Sequence, residues 1–130
     1  MKSHYLLPLI LIPSLACATP SAPENEDVII SSLSLQKENN GYSEDYFLTG
    51  EIQNISGHPI KAIRIMINTY KDGKITGESS DTAFCINKNE KWISRFYLSG
   101  NQNPDSFRVT SIQIQDTPFT CLQNEAIPIN

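Results

Sequence analysis

From Val28 onward the chain alternates apolar and polar residues in short runs separated by turn formers, and helical spacing is nowhere sustained. Period-two alternation is the mark of a strand with one face buried and one face wet. The first run, Val28 to Lys37, predicts an opening strand with Ile29, Leu33 and Leu35 pointing inward, ended by the polar turn Glu38-Asn39-Asn40-Gly41. Tyr46 to Asn54 predicts the next strand, with Tyr46, Leu48, Gly50 and Ile52 on one face and Thr49, Glu51 and Gln53 on the other. A turn through Ile55-Ser56-Gly57-His58 leads past Pro59 into Ile60 to Tyr70, where Ile63, Ile65 and Ile67 oppose Arg64, Met66 and Asn68.

Lys71-Asp72-Gly73-Lys74 carries an Asp-Gly hairpin signal, because both central residues of a tight primed turn need positive φ. The returning strand, from Ile75 to Phe84 and Cys85, is rich in small and polar residues, which predicts an edge or partly irregular strand. After the turn Asn87-Lys88-Asn89-Glu90, the residues Trp92, Ser94, Phe96 and Leu98 alternate with Ile93, Arg95 and Tyr97. From Phe107 to Gln115 the apolar parity changes between Val109 and Ile112, which predicts a β-bulge in a last long strand. Six or seven short strands without crossover helices give an all-β fold, an antiparallel immunoglobulin-like β-sandwich.

Several of these runs resemble bacterial FxLYD-type immunoglobulin-like domains. The residues that carry the likeness are Tyr46-Phe47-Leu48-Thr49-Gly50-Glu51-Ile52-Gln53-Asn54, then Pro59-Ile60, then Tyr70-Lys71-Asp72-Gly73-Lys74-Ile75, and finally Phe96-Tyr97-Leu98. The resemblance spans residues 28–116 and implies an immunoglobulin-like fold and an envelope location. It implies no catalytic residue. This chain departs from the pattern in lacking a Pro-Gly pair before Trp92 and in carrying Cys85 and Cys121.

The amino end changes where this domain is expected to work. Lys2 and His4 precede an apolar stretch from Leu6 to Leu15, and small residues follow through Ala18. That is the layout of a secretory signal, and the run is about half the roughly 20 residues of a membrane span. Two processing readings stand side by side. Ala16 and Ala18 place ordinary cleavage before Thr19, so that residues 1–18 are removed. A lipoprotein-type box instead makes Cys17 the lipid-carrying first residue after removal of residues 1–16, although Ser14 and Leu15 fit that box poorly. Residues 19–27 form a flexible tether, residues 28–122 the sandwich, and residues 123–130 a tail. The expected location is the periplasm or, through a lipid on Cys17, the outer membrane; secretion is the lesser alternative.

Removing or lipidating Cys17 leaves Cys85 and Cys121 as an even pair, which an oxidising compartment closes into a disulfide. No Cys-x-x-Cys spacing or neighbouring histidine recommends a redox-active or metal-binding alternative. The formal net charge is −4 and becomes one unit more negative when Lys2 leaves with the leader. That sign argues against nucleic acid and against an anionic lipid surface as partners.

The chain offers no recognisable catalytic, cofactor or metal set. Of the two histidines, His4 lies in the leader and His58 stands alone in a Gly-His-Pro turn. Glu44 and Asp45 are neighbours that point to opposite faces of an extended strand. His58 and Met66 do not make a copper pair, and Asp72-Gly73 lacks the acidic ladder of a calcium loop. Asn54-Ile55-Ser56 matches a glycosylation acceptor that carries little weight in this setting. Among the aromatic residues, alternation puts Trp92 and Phe96 together in the core.

These readings predict no enzyme and no cofactor. They predict a non-catalytic cell-envelope module for protein interaction or assembly support, with an unidentified envelope protein as partner. Its candidate interaction edge is the strand bearing Ile75, Gly77, Ser79 and Asp81. The alternative is an inhibitor of a hydrolase such as a lysozyme, which would insert the loop from Asn101 to Asp105 into the enzyme's cleft.

Overall fold

The structure is a computed structural model and describes residues 25–99 and 103–130. The residues read as a leader, Cys17 among them, and most of those read as a tether therefore lie outside the described residues, as do Gly100, Asn101 and Gln102. Seven strands follow one another in order: β1 Val28–Ile30, β2 Ser34–Asn39, β3 Glu44–Asn54, β4 Ile60–Lys71, β5 Lys74–Ile86, β6 Lys91–Leu98 and β7 Ser106–Gln115. All pairings are antiparallel. In sheet A, β3 carries β1 and β2 end to end on one side and β6 on the other; in sheet B, β4 lies between β5 and β7. The two sheets pack face to face as a β-sandwich.

The alternation read from β4 holds, because Ile63, Ile65 and Ile67 are buried and meet Ile52 and Phe96 of sheet A in the core. In β6, Ser94, Phe96 and Leu98 are buried while Ile93, Arg95 and Tyr97 face outward. Asp72 and Gly73 both take positive φ, 49° and 76°, and close the β4–β5 hairpin between Lys71 and Lys74. The parity change in β7 is a bulge: Met66 pairs with Ser111 and Ile67 with Val109, which leaves Thr110 as the extra residue. A second bulge lies in β5, where Thr69 pairs with Gly77 and Tyr70 with Ile75.

The opening strand differs from its expected form. Ile29 is 51% exposed, and its neighbour Val28, 4% exposed, is the inward residue. The cause is a break at residues 31–33. Ile30 pairs with Ile52 and Ser34 with Thr49, so three residues on the edge oppose two on β3. The extra residue reverses the parity, which makes Val28 and Ile30 inward before the break and Leu33 and Leu35 inward after it.

Gly50 lies opposite this break. A Cβ there would sit 2.7 Å from the Ser32 carbonyl oxygen and 2.7 Å from Leu33 Cδ2. Glycine is what lets the backbone come that close.

Asn54, at the end of β3, is fully buried. Its Nδ2 donates to the carbonyl oxygens of His58 and Asn87, at 2.9 and 3.1 Å, and its Oδ1 accepts from the Ser56 amide and hydroxyl. One side chain thus joins the β3–β4 turn to the β5–β6 turn. The nitrogen that a glycan would need is committed to this joint.

Candidate interaction surfaces

β5 is an edge strand of sheet B, as its composition predicts. Of the residues expected on that edge, Ile75 is 62% exposed, whereas Gly77, Ser79 and Asp81 are half-buried. Ser79 Oγ donates to the Tyr97 carbonyl oxygen at 2.6 Å, and Ser94 Oγ donates to Asp81 Oδ2. Ser79 and Asp81 therefore fasten β5 to β6, the facing edge of sheet A. Along this side the sandwich is stitched by side chains.

The opposite side differs. β7 ends sheet B and β2 borders sheet A, and between them Leu33, Leu35, Leu48 and Phe107 line a slot of about 160 Å³ that is capped by residues 104–106. From Val109 to Gln115 β7 carries no charge, and Ile114 is exposed at its end. Arg108 Nε donates to the Tyr70 hydroxyl at 3.0 Å, a bond that lowers the phenol's pKa.

Cys85 and Cys121 form a disulfide with Cα atoms 5.4 Å apart. Cys85 takes φ 51°, and both it and Phe84 are exposed, so strand alternation is broken beside the bridge. The bridge carries the chain from β7 across to the β5 edge, where Phe119 meets Phe84 edge-on with centroids 6.0 Å apart. Farther along, tail residues 123–126 wall an open cleft of about 440 Å³ with Pro59, Asn87, Lys88 and Glu90. A closed disulfide fits an oxidising, exported setting.

Asp105, at the end of the Asn101 to Asp105 loop, braces the hairpin. Its amide donates to the Tyr70 carbonyl, and its carboxylate accepts from the Asp72 amide at 3.0 Å and from the Ser106 hydroxyl. The Asp72 N–H, followed by the Ser106 hydroxyl, holds this carboxyl below the usual aspartate range. His58 Nδ1 lies 3.1 Å from the Pro59 carbonyl oxygen. Among the described residues no group of three or more His, Cys, Asp or Glu is placed to hold a metal ion.

The outer face of sheet A carries an aromatic and cationic cluster. Phe47 points to the solvent side of β3 yet is only 7% exposed, because Tyr97 and Arg95 of β6 cover it. The Phe47 and Tyr97 rings lie 5.6 Å apart, and the Arg95 guanidinium carbon stands 5.1 Å from the Phe47 centroid. Tyr97 is 54% exposed and Ile93 65%. The signal was present in the alternation, which puts two large apolar residues and an arginine together on a face where polar residues are the rule.

Comparison with protein-family models, with curated proteins and with solved structures gives no match in any of the three.

Proposed function

We propose that this chain is a non-catalytic cell-envelope module of the FxLYD-type immunoglobulin-like kind, which holds a protein partner by strand addition along β7. The observation that carries the proposal is the asymmetry of the two sandwich margins. Ser79 and Asp81 stitch the β5–β6 side, whereas β7 and β2 face each other across a slot lined by Leu33, Leu35, Leu48 and Phe107 and closed at one end by residues 104–106. In constant-type immunoglobulin sandwiches the sheet containing strands C and F has a further strand G beside F. With β1 and β2, which run end to end beside β3, counted together as strand A, β4 and β7 correspond to C and F, and among the described residues β7 has no neighbour on its outer side. Nor is that place filled by residues 116–122, because Cys121 is tied to β5 at the opposite edge. A partner strand with apolar side chains at alternate positions would pair with β7 and fill the slot over Leu33, Leu35 and Phe107. Export to the periplasm, with or without a lipid on Cys17, completes the reading, and mass spectrometry of the mature amino terminus decides between those two forms.

The test is photo-crosslinking in intact cells from Gln113 on β7 and, in parallel, from Ile75 on β5. The expected result is a discrete protein captured from position 113 and lost in Ile114→Lys, with thermal unfolding of that variant unchanged. Capture from position 75 alone, or from neither position, refutes strand addition at β7.

A further inference from the structure

We infer that the outer face of sheet A is a second, independent binding surface, which takes an extended protein segment by seating a carboxylate on Arg95. Ile93, Arg95 and Tyr97 alternate along β6 and share this face, so they are spaced about 6.5 to 7 Å apart. Arg95 leans diagonally over Phe47, the cross-strand partner of Tyr97. With its guanidinium carbon 5.1 Å from the Phe47 centroid, Arg95 is engaged by the ring as a cation, and no hydrogen bond from its N–H donors is found among the described residues, so they are open to a carboxylate. Among the described residues no carboxylate lies within salt-bridge distance of Arg95, whereas on the same face Glu51 is paired with Lys91 at 3.4 Å. Among the described residues this cation has an aromatic neighbour but no anion.

The neighbouring residues define the rest of the ligand. Beyond Phe47 on the same face, Asp45 stands directly opposite Glu38, and among the described residues neither has a cationic partner. Like charges placed directly opposite each other destabilise a sheet. A basic side chain from a partner would relieve that repulsion. The complementary segment therefore reads apolar, acidic, apolar and basic at alternate positions, with apolar side chains on Ile93 and Tyr97. Tyrosine and arginine are among the residues enriched in binding hot spots. A net charge of −4 does not steer an acidic segment from a distance, so recognition rests on contact at short range. A glycan fits this face less well. Thr49 donates its hydroxyl proton to the Ser94 carbonyl and Glu51 is tied to Lys91, which leaves few free polar groups to bind sugar hydroxyls beside the exposed Tyr97 ring.

The test uses the exported, disulfide-bonded protein labelled with nitrogen-15 and a synthetic peptide carrying Leu-Ser-Asp-Ser-Leu-Ser-Lys. Amide shifts should saturate over residues 47–49 and 93–97, and replacing the peptide's Asp by Asn should weaken binding at least tenfold. Arg95→Glu should abolish binding to the Asp peptide and restore it to a peptide with Lys at that place. Arg95→Gln, which removes the charge without reversing it, should lose binding with the unfolding midpoint unchanged. Equal binding of the Asn peptide overturns the proposal, as do shifts confined to β7. Soluble glycan strands that perturb residues 93–97 equally in the parent and in Arg95→Glu also overturn it. Crosslinking from position 113 in Arg95→Glu separates the two readings, because it should persist if only this second surface is lost.

Discussion

A side chain on Gly50 would collide with the carbonyl oxygen of Ser32, which lies 2.7 Å from where its Cβ would be. The contact is backbone against side chain, so a rotamer change cannot relieve it. Either the break at residues 31–33 moves or β3 does. Gly50→Ala is expected to destabilise the fold by about 1 to 3 kcal/mol, the usual cost of overpacking. Urea unfolding measures this, and an unchanged midpoint would mean that the edge yields freely.

Asn54→Ala removes both donors from the His58 and Asn87 carbonyls and the acceptor from Ser56. Each buried group left unpaired costs about 1 to 3 kcal/mol, so this variant should rank with the most destabilising single substitutions. Asn54→Asp should be nearly as harmful, because it turns a carboxylate oxygen toward two carbonyl oxygens. Thermal unfolding of both variants beside Ser56→Ala, which keeps the Nδ2 bonds, provides the check.

The disulfide closes a loop of 37 residues, counted inclusively from its sequence separation of 36. Chain entropy assigns such a loop about 3 to 4 kcal/mol. Paired Cys85→Ser and Cys121→Ser replacements should lower stability by about that amount. Hydrogen exchange should rise first in residues 116–130, which belong to no strand, and only later in β4. Simultaneous loss of protection in the tail and in β4 would show that the bridge holds the sandwich itself.

Asp105 gives stability an acid dependence of definite sign. Its folded pKa lies below the ordinary aspartate value of 3.8, because the Asp72 N–H and then the Ser106 hydroxyl favour the charged form. The contribution is therefore complete above the unfolded pKa and lost as pH falls through the folded one, below about pH 4. Asp105→Asn should flatten the acid limb of the stability curve there and leave its slope near neutrality unchanged. Urea midpoints at stepped pH, parent against variant, read this directly. An identical acid limb would assign that dependence to other carboxylates.

The sequence by itself determined whatever depends on near neighbours. Period-two alternation placed Ile63, Ile65, Ile67 and Phe96 inside, since consecutive strand residues point to opposite faces. The Asp72-Gly73 turn was legible because few residue pairs accept positive φ twice in succession. The bulge in β7 showed as a change of parity between Val109 and Ile112. Parity misled only at Ile29, where the extra residue lies at Ser31-Ser32-Leu33, a stretch with no apolar rhythm on its amino side long enough to reveal it.

Tertiary structure decided what depends on which segments meet. Two edge strands look alike in sequence, yet only the packing of the sheets brings Ser79 and Asp81 to β6 and leaves β7 beside an open slot. Asn54 becomes a joint because His58 and Asn87, 4 and 33 residues away, converge on it. Arg95 stands over Phe47 because β6 pairs with β3 in a register that puts Tyr97 opposite Phe47. Alternation fixes the face on which a side chain lies, whereas the neighbours it meets there are set by long-range pairing.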